Sequence, residues 1–467
     1  MSRKGGVLSG GFQPLKAPNA PTIASVSAGV LSASVTVSAP ANTGDGTVSG
    51  YVVTAKQSDG SLATGTSSTA GAVSVPLTAS GTTEFATQAF SEYGPGQFSG
   101  FGNSTTIPSG QELYTWGAGF TGRLGLNNTI NVSSPVQVGA LTTWSQASSG
   151  QMHTAAIKTD GTLWTWGSGQ FGKLGVNNTI YRSSPVQVGA LTNWAEVSAG
   201  DFHTAAIKTD GTLWTWGYST FGQLGQNNVY GVNVSSPVQV GALTTWYKVS
   251  AGGYITAAIK TDGSLWTTGS GSNGETGLNT NVRRSSPVQV GALTNWYLVS
   301  AGTFSTAAVK TDGTFWAWGY NGNFGQAGQG TTTPSNFSSP VQVGTLTNWA
   351  KPIASRYVTS GVKTDGTLWT WGRAYQGMLG HNDAISRSSP VQVGADTDWA
   401  QAVAGTAHMA SIKTDGTLWT WGVGSRLGHN DTISRSSPVQ VGSLTTWSQV
   451  SASGRSSFTA AIQQSFT

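Results

Sequence analysis

The sequence predicts an all-β protein in which an N-terminal β-sandwich precedes a seven-bladed β-propeller, closed by the N- and C-terminal strands of its own repeat array. Three observations carry that prediction. Near copies of Ala155-Ala-Ile-Lys-Thr-Asp-Gly-Thr-Leu-Trp-Thr-Trp-Gly167 recur six times, with Trp166, Trp216, Trp318, Trp371 and Trp421 before the glycine and Thr268 in that place once. A second landmark, Ser-Ser-Pro-Val-Gln-Val-Gly, begins at Ser133, Ser183, Ser235, Ser285, Ser338, Ser388 and Ser436, giving seven units of about 50 residues, the period range of propellers. The last repeat stops at Ala460-Ala-Ile-Gln-Gln-Ser-Phe-Thr467 without its Asp-Gly-Thr-Leu-Trp, while Glu112-Leu-Tyr-Thr-Trp-Gly117 opens the array with no Lys-Thr-Asp-Gly ahead of it. The two ends therefore complete one blade, which pairs strand edges that would otherwise invite aggregation.

Composition divides the chain into three stretches. Residues 1–16 read as a flexible arm, because glycines at 5, 6, 10 and 11 raise the entropic cost of ordering the backbone; Arg3, Lys4 and Phe12 are its candidate assembly contacts. Residues 17–108 read as short strands at 31–37, 50–55, 72–77 and 84–90, separated by turn segments such as Asn42-Thr-Gly-Asp-Gly46 and Ser58-Asp-Gly60, which suits a small sandwich. Residues 109–467 are the array.

Within the array, 33 positions separate Ser133 from Trp166, and the same 33 recur in the five following units. From the tryptophan to the next Ser-Ser-Pro the spacing is 17 in four units but 19 after Trp216, 20 after Trp318 and 15 after Trp421. A strand ladder cannot change length without turning side chains to the wrong face, whereas a surface loop can. The constant block is framework, and the variable segment is a loop on one face. Leu163-Trp-Thr-Trp166, the Thr159-Asp-Gly161 turn before it, Pro185-Val-Gln-Val188 and Trp194-Ala-Glu-Val-Ser198 give each unit four strands, the size of one blade.

Composition also excludes much chemistry. Charged residues make up 9% of the 467 positions, against roughly 25% in an average soluble domain, so Ser, Thr, Asn, Gln and Gly must supply the surface. The formal charge of +5 is spread thinly, and no block of Lys and Arg matches a nucleic-acid footprint. Without cysteine there is neither a disulfide framework nor a thiolate metal site, and the five histidines are too scattered for a metal cluster. No apolar run is long enough to span a bilayer, and residues 1–12 lack the apolar core of a secretory signal. Six of thirteen aspartates (160, 210, 262, 312, 365 and 415) sit in the same Asp-Gly turn, where backbone geometry explains them. The five glutamates share no spacing, and neither a phosphate-binding Gly-Lys-Ser/Thr motif nor a nucleophile elbow is present, so no catalytic residue, cofactor or metal site is expected.

The remaining repeated positions read as follows. His153, His203 and His408 share one register filled by Ile255, Ser305 and Val358 elsewhere, which favours packing, while His381 and His429 read as exposed loop residues. Trp164, Trp166 and their copies read as core, and the lysines of Lys-Thr-Asp-Gly as a solvated ring. The position before Ser-Ser-Pro holds Arg182, Arg284, Arg387 and Arg435 and is assigned to the variable loop; with Tyr230 and Phe337 of the longer loops these are the candidate binding residues for an acidic glycan, a lipopolysaccharide phosphate or an acidic protein face.

Two family resemblances rest on particular residues. Val197-Ser-Ala-Gly200-Asp-Phe-His203-Thr-Ala-Ala-Ile, then Asp-Gly-Thr-Leu-Trp-Thr-Trp-Gly and Phe221-Gly-Gln-Leu-Gly225, resemble the repeats of the regulator of chromosome condensation family, which implies a seven-bladed propeller. The best-known member of that family is a nucleotide-exchange factor for a small GTPase that binds chromatin. Propellers host unrelated functions, so the activity does not follow from the fold. Ala20-Pro21, Ser38-Ala-Pro40, Ser49-Gly-Tyr51-Val-Val and Ala89-Phe-Ser-Glu-Tyr-Gly-Pro95-Gly resemble a fibronectin type III domain, with Val37 at the usual core tryptophan and Thr83 at the corner tyrosine. Together these features predict a non-enzymatic virion structural protein, a tail, fibre or head-surface component assembled in the host cytoplasm. Its N-terminal region would hold other virion proteins, and its propeller loops would meet a host-surface glycan or envelope protein; a homo-oligomer is compatible with this. A bacterial cell-surface adhesin, extracellular, and a GTPase-regulating propeller are the alternatives. Neither a specific nucleic acid nor membrane insertion is expected.

Overall fold

Alternation of small or branched side chains with polar ones builds the first unit. In Ser32–Ser38 the side chains of Ala33, Val35 and Val37 point inward and are buried, the period-two signature of a half-buried strand. In this computed structural model residues 16–29, 32–78, 80–107, 110–140, 142–227 and 231–465 are described. Arg3, Lys4, Phe12, Leu31 and Tyr230 lie outside them. The chain separates into one unit ending at Gly110 and a second over Gln111–Gln464.

In the first unit, Thr22–Gly29, Ser32–Ser38 and Gly71–Pro76 form a three-stranded sheet, and Leu62–Ser67, Val48–Lys56, Gly81–Ser91, Gly94–Phe98 and Asn103–Ile107 a five-stranded one. One cluster joins the two, with Val35, Val37 and Val75 from the first sheet against Val53, Phe85 and Ala89 from the second. Four of these strands stand out in the sequence. The strands at 22–29, 62–67, 94–98 and 103–107 do not, because their burial is partial and their residues are mostly Ser, Thr and Gly.

The second unit is an all-β propeller of many blades. Its sheets repeat one order, seen in Trp144–Ser149, His153–Lys158, Leu163–Gly167 and Arg182–Gln187, where neighbouring strands are antiparallel. Six sheets are contiguous in sequence. The other four-stranded sheet combines Val132–Gln137 and Gly110–Gly117 from the front of the array with Phe458–Ser465 and Trp447–Ser451 from its end. Ala118 N–H donates to the Ser457 carbonyl at 3.0 Å across that seam.

A relay explains why Asp-Gly-Thr-Leu-Trp is kept as a block. Asp160 Oδ1 accepts from both Thr162 N (2.9 Å) and Thr162 Oγ1 (2.6 Å), and Thr162 Oγ1 in turn accepts from Trp164 Nε1 at 2.8 Å. Gly161 has φ 76°, and a Cβ there would stand 2.1 Å from the Thr192 carbonyl oxygen, so only glycine fits. The lysine before the turn is not a member of a solvated ring. Lys158, Lys208, Lys260, Lys310, Lys363 and Lys413 are 5–9% exposed. Their Nζ atoms stand 3.6–4.6 Å from the centroid of the tryptophan at the start of the third strand. The two tryptophans of one sheet bury the aliphatic stem while their rings hold the ammonium, which is why Asp160 can be spent on the turn.

The cores lie between adjacent sheets. Trp216 is fully buried against Ala155, Ile157 and Leu163 of the preceding sheet, and its Nε1 donates to the Lys173 carbonyl there at 3.0 Å. Trp116 repeats this contact across the seam, donating to the Arg426 carbonyl at 3.0 Å.

The repeated histidines join neighbouring sheets. His153, His203 and His408 place Nε2 2.8, 2.8 and 2.9 Å from Thr204, Thr256 and Thr459 Oγ1 of the next sheet. Thr204 and Thr256 already donate their hydroxyl protons to the Lys173 and Gln223 carbonyls, so Nε2 of His153 and His203 is the donor in these bonds. Burial pushes His153 well below its ordinary value and His203 and His408 down to about 3. Their folded values lie below the unfolded one, so their stabilising effect is complete above about pH 6.5 and is lost as pH falls toward the folded values. Burial of Asp201, pushed up to about 6, and of Glu196 and Glu275, also raised, acts in the opposite sense, while the lowered His381 and His429 add to the three repeated histidines, so that five histidines outweigh three carboxyls. The urea midpoint is expected to fall between pH 7 and pH 4, and H153Q/H203Q/H408Q to flatten that fall; an unchanged slope in the variant would contradict the assignment.

Candidate functional site

The two ends of the sheets carry different chemistry. At one end lie the Lys-Thr-Asp-Gly turns; at the other, here called the loop face, lie the short turns between first and second strands and the variable connections between third and fourth. The arginines of the array all belong to the loop face. Arg123, Arg373 and Arg426 stand in variable connections, Arg356 and Arg455 in short turns, and Arg182, Arg283, Arg284, Arg387 and Arg435 where a connection enters the outer strand. With Lys173 these make eleven cationic side chains, against four acidic ones there, Asp201, Glu275, Asp383 and Asp431. Lysines and aspartates instead alternate in the turns of the opposite end.

Aromatic rings accompany the arginines. Phe171, Tyr218, Phe202, Tyr254, Phe221, Phe304 and Tyr320 form one arc across adjacent sheets, with centroids of neighbours 4.6–6.4 Å apart. These rings are half-buried. Phe171 sits at φ 64°, a left-handed conformation that costs a bulky residue about 1–2 kcal/mol and that clusters at functional sites. Arg283 stands 4.6 Å from the Phe221 centroid, Arg356 4.7 Å from that of Tyr357, and Arg373 5.0–5.2 Å from those of Phe324, Tyr357 and Tyr375.

At the centre of the face is the mouth of a channel of about 240 Å³, walled by inner strands whose serines accept N–H groups from the next sheet, as Ser148 Oγ does from Ala199 N at 2.9 Å. Asp201, 2% exposed, is part of the lining. Its Oδ2 accepts from Thr303 Oγ1 at 3.1 Å and pairs with Arg455 Nε at 3.4 Å. Burial raises the Asp201 carboxyl to about 6 although Arg455, Thr303, Lys173 and Arg356 all favour its charged form. The Arg455 guanidinium carbon lies 5.4–5.7 Å from the centroids of Phe202, Tyr254 and Phe304.

The residues singled out by sequence fare unevenly. Arg182, Arg284, Arg387 and Arg435 are not loop residues: each opens an outer strand and pairs with the glycine after the Trp position, Gly167 for Arg182, with a register break before the ladder resumes. They do not form one free arc. Arg387 pairs with Asp383 at 2.7 Å and Arg435 with Asp431 at 2.8 Å, each four residues back in its own connection. Phe337 pairs with Gly319 and packs against the core that contains Trp318 and Ile255, so it is structural. His381 and His429 are half-buried, with Nε2 2.9 and 3.0 Å from Thr370 and Thr420 Oγ1. The central aromatic residues escaped notice although they share a register: Phe202, Tyr254, Phe304 and Tyr357 each precede the first residue of a second strand.

Four grooves between sheets, of about 420–730 Å³, form a second candidate; each is floored by two tryptophans and bounded by the proline of the next Ser-Ser-Pro. The lysine of each repeat already covers the indole there, as Lys310 covers Trp316 at 3.7 Å. Among the described residues no group of three or more His, Asp and Glu side chains could hold a metal ion, and no helix is long and apolar enough to cross a membrane.

Comparison with known proteins is consistent with this architecture. The RCC1-like domain family matches residues 196–466, and the regulator of chromosome condensation (RCC1) repeat matches 111–157 and 160–207. Yeast RCC1 (Prp20), in its crystal structure with Kap60, is 18% identical with TM-score 0.68, over 77% of this chain and 90% of that one. Human WBSCR16 is 19% identical with TM-score 0.68, over 76% of this chain and 100% of its own. The Prp20p structure from Saccharomyces cerevisiae, described with its binding to Gsp1p and histones, is 18% identical with TM-score 0.66, over 77% and 92%. No curated protein matches the sequence. At these identities the structural likeness speaks to the fold.

Proposed function

Because the chain belongs to the RCC1-like domain family, we propose that it is a non-enzymatic propeller that docks a protein partner on its loop face, with regulation of a small GTPase as the leading activity. One observation carries this reading: the arginines of the array and a continuous arc of aromatic rings share one face, the composition of a binding hot spot. Asp201, the carboxylate at the centre, is engaged by Thr303 and Arg455, which suits a structural role better than proton transfer. One protein of this fold, yeast Prp20, is described with protein partners, Kap60 in one structure and Gsp1p and histones with the other. The expected result is faster release of fluorescent GDP from one member of a panel of small GTPases when the full chain is added. Release at the spontaneous rate across the panel would remove the GTPase reading.

Finer structural readings belong with this proposal. The seven four-stranded sheets, with the first and last strands of the array sharing one, support a seven-bladed ring over 109–467. Two sheets over one core support a fibronectin type III-like domain over 17–108. A second reading, a virion component attached through its N-terminal region, is favoured by the 9% content of charged residues and by the basic, glycine-rich stretch over residues 1–12. Absence of the chain from purified particles of its source would end that reading.

A further inference from the structure

The loop face has a charge that its own fold does not neutralise. Arg387 and Arg435 are held by Asp383 and Asp431, and Arg455 by Asp201. Among the described residues no carboxylate comes within 4.0 Å of the guanidinium nitrogens of Arg283, Arg356 or Arg373, and Asp201, already paired with Arg455, acts on Arg356 only from farther away. Each of these guanidinium groups stands beside a half-buried ring, within 4.6–5.2 Å of its centroid. A guanidinium placed this way keeps its in-plane N–H donors free for a carboxylate while an aromatic face supports it. The lysines of the Lys-Thr-Asp-Gly turns, compact point charges, are instead withdrawn onto tryptophans at the other end.

We infer that the loop face takes an acidic polypeptide segment, whose carboxylates pair with Arg283, Arg356 and Arg373 while its apolar or aromatic side chains seat against the arc of rings from Phe171 to Tyr320. The inference rests on the docking reading above and names the chemistry of the partner. Charge complementarity selects the acidic character: with the buried Arg123 and Lys173 and the buried Asp201 and Glu275 set aside, nine arginines remain on this face against two aspartates, Asp383 and Asp431, in a chain whose overall formal charge is only +5. The packing of the rings selects polypeptide over nucleic acid. Neighbouring rings meet at 60–77° at Phe202 and Tyr218, Tyr218 and Phe221, Phe221 and Tyr254, and Phe171 and Phe202, so they offer edges and clefts. Phe202 and Tyr254 are nearer parallel, at 26°, but stack on each other. A bound base needs a free flat ring, whereas a side chain fits a cleft.

The test uses the full chain and three fluorescent probes: a twelve-residue peptide alternating Glu with Phe or Tyr, the same peptide with Gln for Glu, and twelve-nucleotide oligo-dT. Anisotropy is expected to give at least tenfold tighter binding of the acidic peptide than of the Gln peptide, and R283E/R356E/R373E to weaken it at least tenfold, while Lys56→Glu in the first unit leaves it unchanged. Should the triple Glu variant melt at a lower temperature, R283Q/R356Q/R373Q replaces it, with the same expectation at smaller magnitude. Equal binding of the two peptides, an unaffected triple variant, or tighter binding of oligo-dT than of the acidic peptide would each overturn the inference. No GTPase is present in this assay, so its failure is distinct from a failure of nucleotide release.

Discussion

A chain ended after Ser453 is expected to lose cooperative unfolding and to aggregate, although it keeps all six contiguous four-stranded sheets. The truncation removes Phe458–Ser465, the strand that pairs with Gly110–Gly117. Phe458 and Ile462 are at most 1% exposed, and losing their burial costs about 1.5–3 kcal/mol each. Leu113 and Trp116, both fully buried, would then border an open edge, and an unpaired hydrophobic edge strand templates association. Together Phe458 and Ile462 contribute about 3–6 kcal/mol, which reaches the lower part of the roughly 5–15 kcal/mol that separates folded from unfolded states. Size-exclusion chromatography and thermal unfolding check this; a monomer that melts like the full chain would show that the seam contributes nothing.

Trp216→Ala is expected to cost about 3–5 kcal/mol, among the largest effects available to a single substitution. The ring is fully buried between adjacent sheets, so truncation leaves a cavity lined by Ala155, Ile157 and Leu163. It also deletes the N–H that donates to the Lys173 carbonyl, although Thr204 Oγ1 still donates there. Trp216→Phe, which keeps most of the volume, is expected to lose well under half as much. Trp214→Ala provides the contrast, because that ring is half-buried and supports Lys208 at 3.6 Å from outside the core. Urea denaturation of the three variants separates them; equal losses for Trp214→Ala and Trp216→Ala would mean that burial does not set the ranking.

Much of the framework was legible because repetition amplifies weak signals. The constant separation of Ser-Ser-Pro from Trp marks a ladder, and the unmatched strands at the two ends of the array mark a shared sheet, as Gly110–Gly117 beside Phe458–Ser465 bears out. What escaped the sequence depended on contacts between distant residues. Lys158 reads as solvated until Trp144 and Trp164, twenty residues apart, are seen to flank it. Arg182 reads as a loop residue because the bulge that lets it pair with Gly167 leaves no mark on the hydrophobic pattern. The central cluster was least legible, since Asp201, Thr303 and Arg455 belong to three different repeats and meet only around the channel mouth.

That cluster makes the arrangement of the loop face a consequence of closure. Arg455 stands in the last short turn of the array, and it reaches Asp201 and the rings of Phe202, Tyr254 and Phe304 only if the end of the array meets its beginning. The most direct measurement pairs Ala118→Cys with Ser457→Cys in the full chain, which has no other cysteine. Those two residues share a backbone hydrogen bond of 3.0 Å at the seam. Mild oxidation should give an intramolecular disulfide at every protein concentration, with a higher melting temperature. Cross-links found only between molecules, or none at all, would contradict the closed ring and the loop face built on it.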